Sequence, residues 1–424
     1  MGGWAAPWGI EYRIDTMNAY VALIVTGIAS IVLPYAYRSA PLYLQKDRVS
    51  LFFSLMMLCL TGLLGMTVTG DAFNVFVFLE ISSLSMYGLI SLGQDRRALT
   101  AAFQYLVMGT IGGTFVLLGI GFLYVVTGTL NMADLAQRLP EVTQLRTLHT
   151  AFAFLVVGIG LKLAMFPLHL WLPNAYAYAP SAATVFIAAT ATKVAVYILL
   201  RFVFTVIGPD IAYGDLPFGE IAMGLAVLGL LSGSFVAIFQ QNIKRMLAYS
   251  TISHVGFLIL GLLAGTAEGY SAAMFYAITY ALMAIGGFGM IILLSRAGIE
   301  ADSLDDFKGL NERSPWFAFM MLVLMFSMAG VPPTVGFYAK LSVLQAVVGV
   351  DMVWLALVAV FFSVIGAFYY IRVVKLMYFD KPETEAPLQV NTDMQVAVSI
   401  NGLAVLGLGL FPGSLLALCT SVLA

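Results

Sequence analysis

Charge is scarce in this sequence. Only 10% of its 424 residues are Asp, Glu, Lys or Arg, where ordinary soluble domains carry about a quarter. The 20 basic and 22 acidic side chains leave a net charge of −2, so there is no basic field with which to hold nucleic acid. Cysteine is nearly missing: Cys59 and Cys419 both lie in apolar stretches. Two thiols cannot build an iron–sulfur cluster or a zinc site, each of which needs about four ligands. No phosphate-binding loop is present, and the GxG fragments fall inside apolar runs, where glycine serves close helix packing. Redox and nucleotide chemistry therefore have no residues to work with in this chain. The start, "MGGWAAPWGIEYRID", also lacks the basic-then-apolar build of a signal peptide.

What the chain has instead is apolar length. Hydrophobic residues make up 61% of it, and a bilayer crossing takes about 20 of them in a row. Such runs fall at 17–37, 51–69, 72–92, 98–127, 150–172, 181–206, 219–239, 246–265, 270–295, 315–349, 351–379 and 395–421. The tenth is longer than one crossing and contains Pro332-Pro333, which reads as a broken helix. No soluble domain interrupts the series; the longest polar connections lie near 131–149, 296–314 and 380–394. The expectation is an all-α polytopic membrane protein of about twelve transmembrane helices, acting as a single unit over 1–424.

Twelve crossings place alternate connections on opposite sides. One set carries Arg38, Lys46, Arg48, Arg96, Arg97, Lys244, Arg245, Arg296, Lys308, Arg313, Arg372, Lys375 and Lys381; the other carries Arg13, Arg138, Arg146 and Arg201. The positive-inside rule makes the richer set cytoplasmic and turns both termini outward.

The three remaining basic residues, Lys162, Lys193 and Lys340, fall within spans, as does Glu80 in the third. Each mid-membrane charge opposes insertion by roughly 2.5–3.5 kcal/mol. Snorkelling suits Lys244 and Arg245, which flank a span, but not these four. A static Glu80–Lys162 ion pair would account for two of them and leave two lysines without an acidic partner. A relay accounts for all four, because a lysine taken out of water releases its proton more readily and a nearby carboxylate reverses the effect. His169, Ser250, Thr251, Ser253, His254, Tyr276 and Tyr280 offer stepping stones, although a buried histidine as often serves one structural hydrogen bond. Pro167 lies five residues after Lys162, and Pro332 and Pro333 lie shortly before Lys340. Proline frees backbone carbonyls, and interrupted helices bearing charge in both halves of a chain point to a midplane ion site.

Four stretches carry a family resemblance: "KLAMFPLHLWLPNAYAYAPS", "ATKVAVYILLRF", "NIKRMLAYSTISHVGF" and "AGVPPTVGFYAKLSVLQAVV". Together they resemble the antiporter-like proton-conducting subunits shared by respiratory complex I and the multisubunit Mrp cation/proton antiporters. The first half, with "GDAFNVFVFLEISSLSMYGLI" and "GTLNMADLAQRLP", is most similar to the D components of Mrp antiporters. The second, with "FYAITYALMAIGGFGM" and "FYYIRVVKLMYFD", is most similar to the N subunits of NADH–quinone oxidoreductases.

The resemblance implies fourteen family helices, of which this chain would begin at the third. It also implies two inverted five-helix repeats, at approximately 50–206 and 219–379, with lysine-bearing broken helices. It assigns Glu80, Lys162, Lys193 and Lys340 to the proton relay, with His254 and His169 as candidates and with Pro167, Pro332 and Pro333 at the helix breaks. The partners implied are the lipid bilayer of a bacterial inner membrane, other membrane subunits, protons and, for the antiporter branch, Na+ or K+. FMN, iron–sulfur clusters and quinone would belong to partner subunits of a complex I-type assembly. Three functions follow in order: a proton-translocating subunit of an NADH–quinone oxidoreductase, the D component of an Mrp-type cation/proton antiporter, and a non-transporting membrane scaffold.

Overall fold

A computed structural model describes residues 3–142, 145–295, 300–382 and 391–422. Arg296 and parts of the three long polar connections lie outside the described residues. Apart from isolated β-bridges, the described chain is helix and turn. In order, the helices are α1 (Thr16–Tyr43), α2 (Lys46–Val68), α3 (Ala72–Ser91), α4 (Arg97–Thr127), α5 (Met132–Arg138), α6 (Leu145–Leu163), α7 (Trp171–Tyr178) and α8 (Ser181–Leu200). Then come α9 (Phe218–Ile238), α10 (Ile243–Leu263), α11 (Ala267–Leu294), α12 (Leu310–Arg313), α13 (Pro315–Ala329), α14 (Val335–Gly349), α15 (Val353–Phe379), α16 (Thr392–Leu410) and α17 (Gly413–Ser421). Helix α8 runs on into a wider π-helical segment, Arg201–Ile207.

Among the described residues, eleven spans are long and apolar enough to cross a membrane, and the run at 315–349 is divided between the shorter α13 and α14. The expected architecture of about twelve crossings is the one observed. Two details differ from the apolar pattern. The fifth run leaves its helix at Leu163 and resumes helix only at Trp171, and the last run breaks at Phe411-Pro412, where proline has no N–H to give and turns the preceding residue out of helical geometry.

These helices have no polar face, because lipid and protein core are equally apolar; layering shows in burial instead. Within an apolar stretch of 18 residues, 94% of the residues are buried in α8 with its π-helical extension and in α10, and 89% in α11, against 39% in α4, α9 and α15. Alanine and threonine crowd α8, so neighbours approach it on every side. The outer helices turn Leu99, Phe103, Phe235, Leu357 and Val364 outward, as a lipid-facing surface requires.

The two ends of the described chain meet. Thr16 donates its hydroxyl hydrogen to the Val422 carbonyl at 3.0 Å, and the Tyr20 hydroxyl and Cys419 thiol share a 3.0 Å contact. That closure requires an even number of crossings. At the far end of α1, Tyr43 shares one cavity with Arg97 and Arg245, both from the set richer in basic residues.

Candidate functional site

Helix α6 ends one residue after Lys162. Pro167 forbids its continuation, and Ala164 turns into left-handed geometry at φ 60°. The break frees backbone carbonyls, and Trp171 caps one by donating Nε1–H to the Leu161 carbonyl at 2.9 Å. Lys162, 8% exposed, points towards α3. Its ammonium donates to Ser83 Oγ at 2.6 Å and to the Tyr87 hydroxyl at 3.4 Å. The rings of Tyr87 and Tyr105 each lie 5.9 Å from Nζ, and Tyr105 is stacked on Trp171.

Glu80 sits one turn before Ser83 on the same helix. Its Oε1 is buried without a hydrogen-bond partner. The static ion pair is therefore not what is built: Lys162 rests on hydroxyls, and the carboxylate stands beside them. Gly113 of α4 makes the space, since a Cβ there would lie 2.1 Å from Glu80 Oε1. A cavity of about 20 Å³ between α3, α6 and α8 borders Lys162, Ser83, Ala191 and Ala195, room for about one water molecule.

Lys193 lies deep in α8. It donates to the Ala188 carbonyl at 2.7 Å and to Thr192 Oγ1 at 3.3 Å, and its ammonium sits 4.1 Å from the centre of the Tyr280 ring. That ring also stacks on His254 at 4.3 Å, and its hydroxyl bonds Thr251 Oγ1 at 2.6 Å. Both nitrogens of His254 are engaged: Nδ1 with the Tyr276 hydroxyl at 2.7 Å and Nε2 with the Tyr370 hydroxyl at 3.0 Å. An imidazole held between two phenols can accept a proton on one side and release one on the other.

Lys340 begins its reach after the second break. Helix α13 ends at Ala329, and Gly330 follows at φ +86°, a conformation closed to most side chains; a Cβ there would also lie 2.8 Å from Lys340 Cδ. The Lys340 ammonium turns back to the Ala329 carbonyl at 2.9 Å and to Ser363 Oγ at 2.8 Å. It meets the negative end of the α13 dipole, where a cation is favoured. The Phe257 ring, 5.2 Å from Nζ, separates it from the tyrosines around His254.

The structure brings Glu80 close to Lys162, and Lys193 close to His254, with both prolyl breaks beside lysines. It leaves His169 apart: the ring stacks on Phe166 at 5.4 Å, and its buried Nδ1 has no partner. Snorkelling at Lys244 is overturned. Its side chain is 0% exposed and paired with Glu300, because the α7–α8 junction covers it. Sequence reasoning missed Ser83, Tyr87, Gly113, Ser363 and Tyr370. Ser83 and Tyr87 were readable in principle, lying three and seven residues after Glu80 on one helical face.

Comparison with known proteins gives a consistent picture. Residues 69–366 match the family model described as NADH:quinone oxidoreductase/Mrp antiporter, transmembrane. The NADH-quinone oxidoreductase subunit N of Thioalkalivibrio sulfidiphilus is 49% identical over 417 residues, covering 96% of this chain and 85% of that one. A single relative thus spans both halves. Among solved structures, a chain of the membrane-bound sulfane sulfur reductase, an archaeal respiratory membrane complex, superposes with a TM-score of 0.91 at 28% identity, covering 100% of this chain and 85% of its own. A chain of Thermus thermophilus respiratory complex I with bound aureothin superposes at 0.81 with 26% identity, covering 96% and 86%.

Proposed function

This chain belongs to the NADH:quinone oxidoreductase/Mrp antiporter transmembrane family, and we propose that it is the proton-translocating membrane subunit of a complex I-type NADH–quinone oxidoreductase. One observation carries the reading. Lys162, Lys193 and Lys340 are each held by hydroxyls and carbonyls rather than by a carboxylate. An ammonium held by neutral acceptors can give up its proton without leaving a buried anion behind. On this reading Glu80 loads Lys162 by approaching it and unloads it by withdrawing, while His254 and its tyrosines carry protons between Lys193 and the second half.

The inverted repeats are part of the proposal. The interval that relates Gly62 to Gly233 also relates Ser82 to Ser253 and the helix caps Asp71 and Asn242. In both halves the glycine would drive a Cβ to 2.5 Å from the serine nitrogen. Five crossings per repeat is an odd number, which turns the second repeat upside down in the membrane. Both termini face the periplasm of a bacterial inner membrane under the charge asymmetry. FMN, iron–sulfur clusters and quinone reside on this reading in partner subunits. Among the described residues no three His, Cys, Asp or Glu side chains gather as a metal would require.

The test is substitution at Lys162 in the assembled complex, read as proton pumping by membrane vesicles. Lys162→Arg keeps the charge but cannot release a proton, since guanidinium has a pKa above about 12. A carrier fails with both arginine and alanine; a structural cation fails with alanine alone. Membership of an Mrp antiporter, favoured by the Glu80 stretch, predicts co-purification with small membrane subunits lacking redox centres. The complex I reading predicts iron–sulfur partners.

A further inference from the structure

A cavity of about 400 Å³ opens at the end of the molecule that gathers Arg97, Asn242 and Arg245, lined also by Tyr43, Asp95, Tyr178, Glu300 and Asp302. At its base Glu300 does two things: one oxygen pairs with the fully buried Lys244, and the other accepts the Ser181 N–H at 2.9 Å, at the first turn of α8. Lys244 also donates to the Ala179 carbonyl at 3.1 Å. The other cavity charges are engaged nearby: Asp302 accepts from Asn242 at 2.6 Å, and Asp95 pairs with Arg97. Inward from this pair stand two buried hydroxyls without a protein partner, Ser181 Oγ and Tyr176 OH. Thr184 ties the Tyr176 backbone to α8 by donating to its carbonyl at 3.0 Å. The Tyr176 phenol lies within electrostatic reach of Tyr280, the ring on which Lys193 and His254 both rest.

We propose that this cavity is the proton-uptake mouth of the chain, and that Lys244–Glu300 admits protons to the column of Ser181, Tyr176 and Tyr280. The inference rests on the proton-translocating reading above and adds an entrance to it. The step balances without a co-reactant. A proton from the aqueous cavity converts the Glu300 carboxylate to the acid, which leaves the Lys244 ammonium without its counter-charge. Lys244 passes a proton inward to water hydrogen-bonded at Ser181, and the amine so formed takes the proton held by Glu300. The ion pair is restored, with one proton in and one proton forwarded. Orphaned buried hydroxyls are where ordered water gains hydrogen bonds, so Ser181 and Tyr176 mark the next stations. From Ser181 to Lys193 is about 18 Å along α8, a span that hydroxyls and a few waters can bridge.

The experiment uses the assembled complex in native membrane vesicles, with proton flux read by a pH-sensitive dye and normalised to assembled complex. Tyr176→Phe keeps the ring and removes a hydroxyl that has no structural partner. Proton flux is expected to fall by about tenfold or more. A hydroxyl with a merely structural part would leave flux unchanged. Glu300→Gln alone strands a buried ammonium and threatens folding, so the double variant Lys244→Gln with Glu300→Gln is measured beside it. The neutral pair preserves packing and hydrogen bonding, and flux is again expected to fall by about tenfold or more. Normal flux in both Tyr176→Phe and the double variant overturns the uptake route. Lys340→Ala separates the two readings: its loss of flux alongside normal Tyr176→Phe removes only the entrance, whereas normal flux in Lys340→Ala removes the proton-translocating reading itself.

Discussion

Lys162 and Lys340 stand beside broken helices in opposite halves of the chain, yet they are held in different ways. Lys162 precedes its break and reaches across to Ser83 on α3, the helix that carries Glu80. Lys340 follows its break and reaches back to the carbonyl that the break sets free. In the first half that role of capping a freed carbonyl falls to Trp171. The side of the break on which a lysine sits thus decides whether it answers to a neighbouring helix or to its own. At the interval relating Gly62 to Gly233, Glu80 falls on Thr251 and Ser83 on His254. One half fills these two positions with a carboxylate and a hydroxyl, the other with a hydroxyl and an imidazole. On the proposed reading, carboxylate control belongs to the first half, and the second works through a ring that can hold and release a proton.

The comparison breaks hardest at Lys340. Lys340→Arg keeps a cation on the Ala329 carbonyl but cannot release its proton, so pumping in vesicles is expected to fall by about two orders of magnitude with assembly intact. Retained pumping would mean that the second half needs only a charge at the end of α13. Next comes Glu80. Glu80→Gln should leave the complex assembled and reduce pumping by roughly tenfold, and Gly113→Ala should reproduce part of that loss by pushing the carboxylate aside. Full activity in Gly113→Ala would show that the position of Glu80 does not matter. Smaller effects are expected at the two serines. Ser83→Ala removes the shortest bond to Lys162, whereas Ser363→Ala leaves Lys340 its carbonyl. Stability losses near 0.6 kcal/mol are typical of hydrogen bonds between membrane helices, and Ser83→Ala should show the larger drop in thermal stability of the purified complex.

The smallest effect lies at the N-terminal end of the first half. Asp15 caps α1 and makes a bidentate pair with Arg201, at 2.7 and 2.9 Å. Burial works to raise its pKa, but the Arg201 and Asn18 hydrogen bonds outweigh it and hold the carboxyl below the usual value of 3.8. A depressed carboxylate contributes stability above its unfolded pKa and loses it as pH falls through the folded one. The Asp15 contribution should therefore be constant at neutral pH and fade only below about pH 4. Acid titration of amide exchange in residues 11–18 checks this, and Asp15→Asn should abolish the pH dependence.

How far the molecule was legible from residues alone depended on how local each signal was. Apolar runs and prolines act on their own neighbourhoods, so the crossings and the breaks at Pro167 and Pro332-Pro333 could be read directly. The placement of Lys162 near Glu80 was also readable, but the hydroxyls between them depend on how α6 leans on α3. Tyr370 reaches His254 across 116 positions, and Glu300 reaches Lys244 across 56. No local pattern announces such meetings. Lys244 misled for the same reason: beside a run of apolar residues it looks like a surface anchor, and only the folded α7–α8 junction seals it in.

The meeting of Thr16 with Val422 and of Tyr20 with Cys419 bears on the order of assembly. Helix α1 is made before α8, α11 and α17, yet its packing partners include α8 and α11, and its N-terminal end is latched by α17. Until α8 and α11 are synthesised, α2 is the neighbour against which α1 can already pack. The seat of α1 is therefore completed only when α17 has been made, long after α1 itself has left the ribosome. Shortening the chain by α17 should leave Tyr20 and the base of α1 open to chemical labelling while every earlier crossing is already in place.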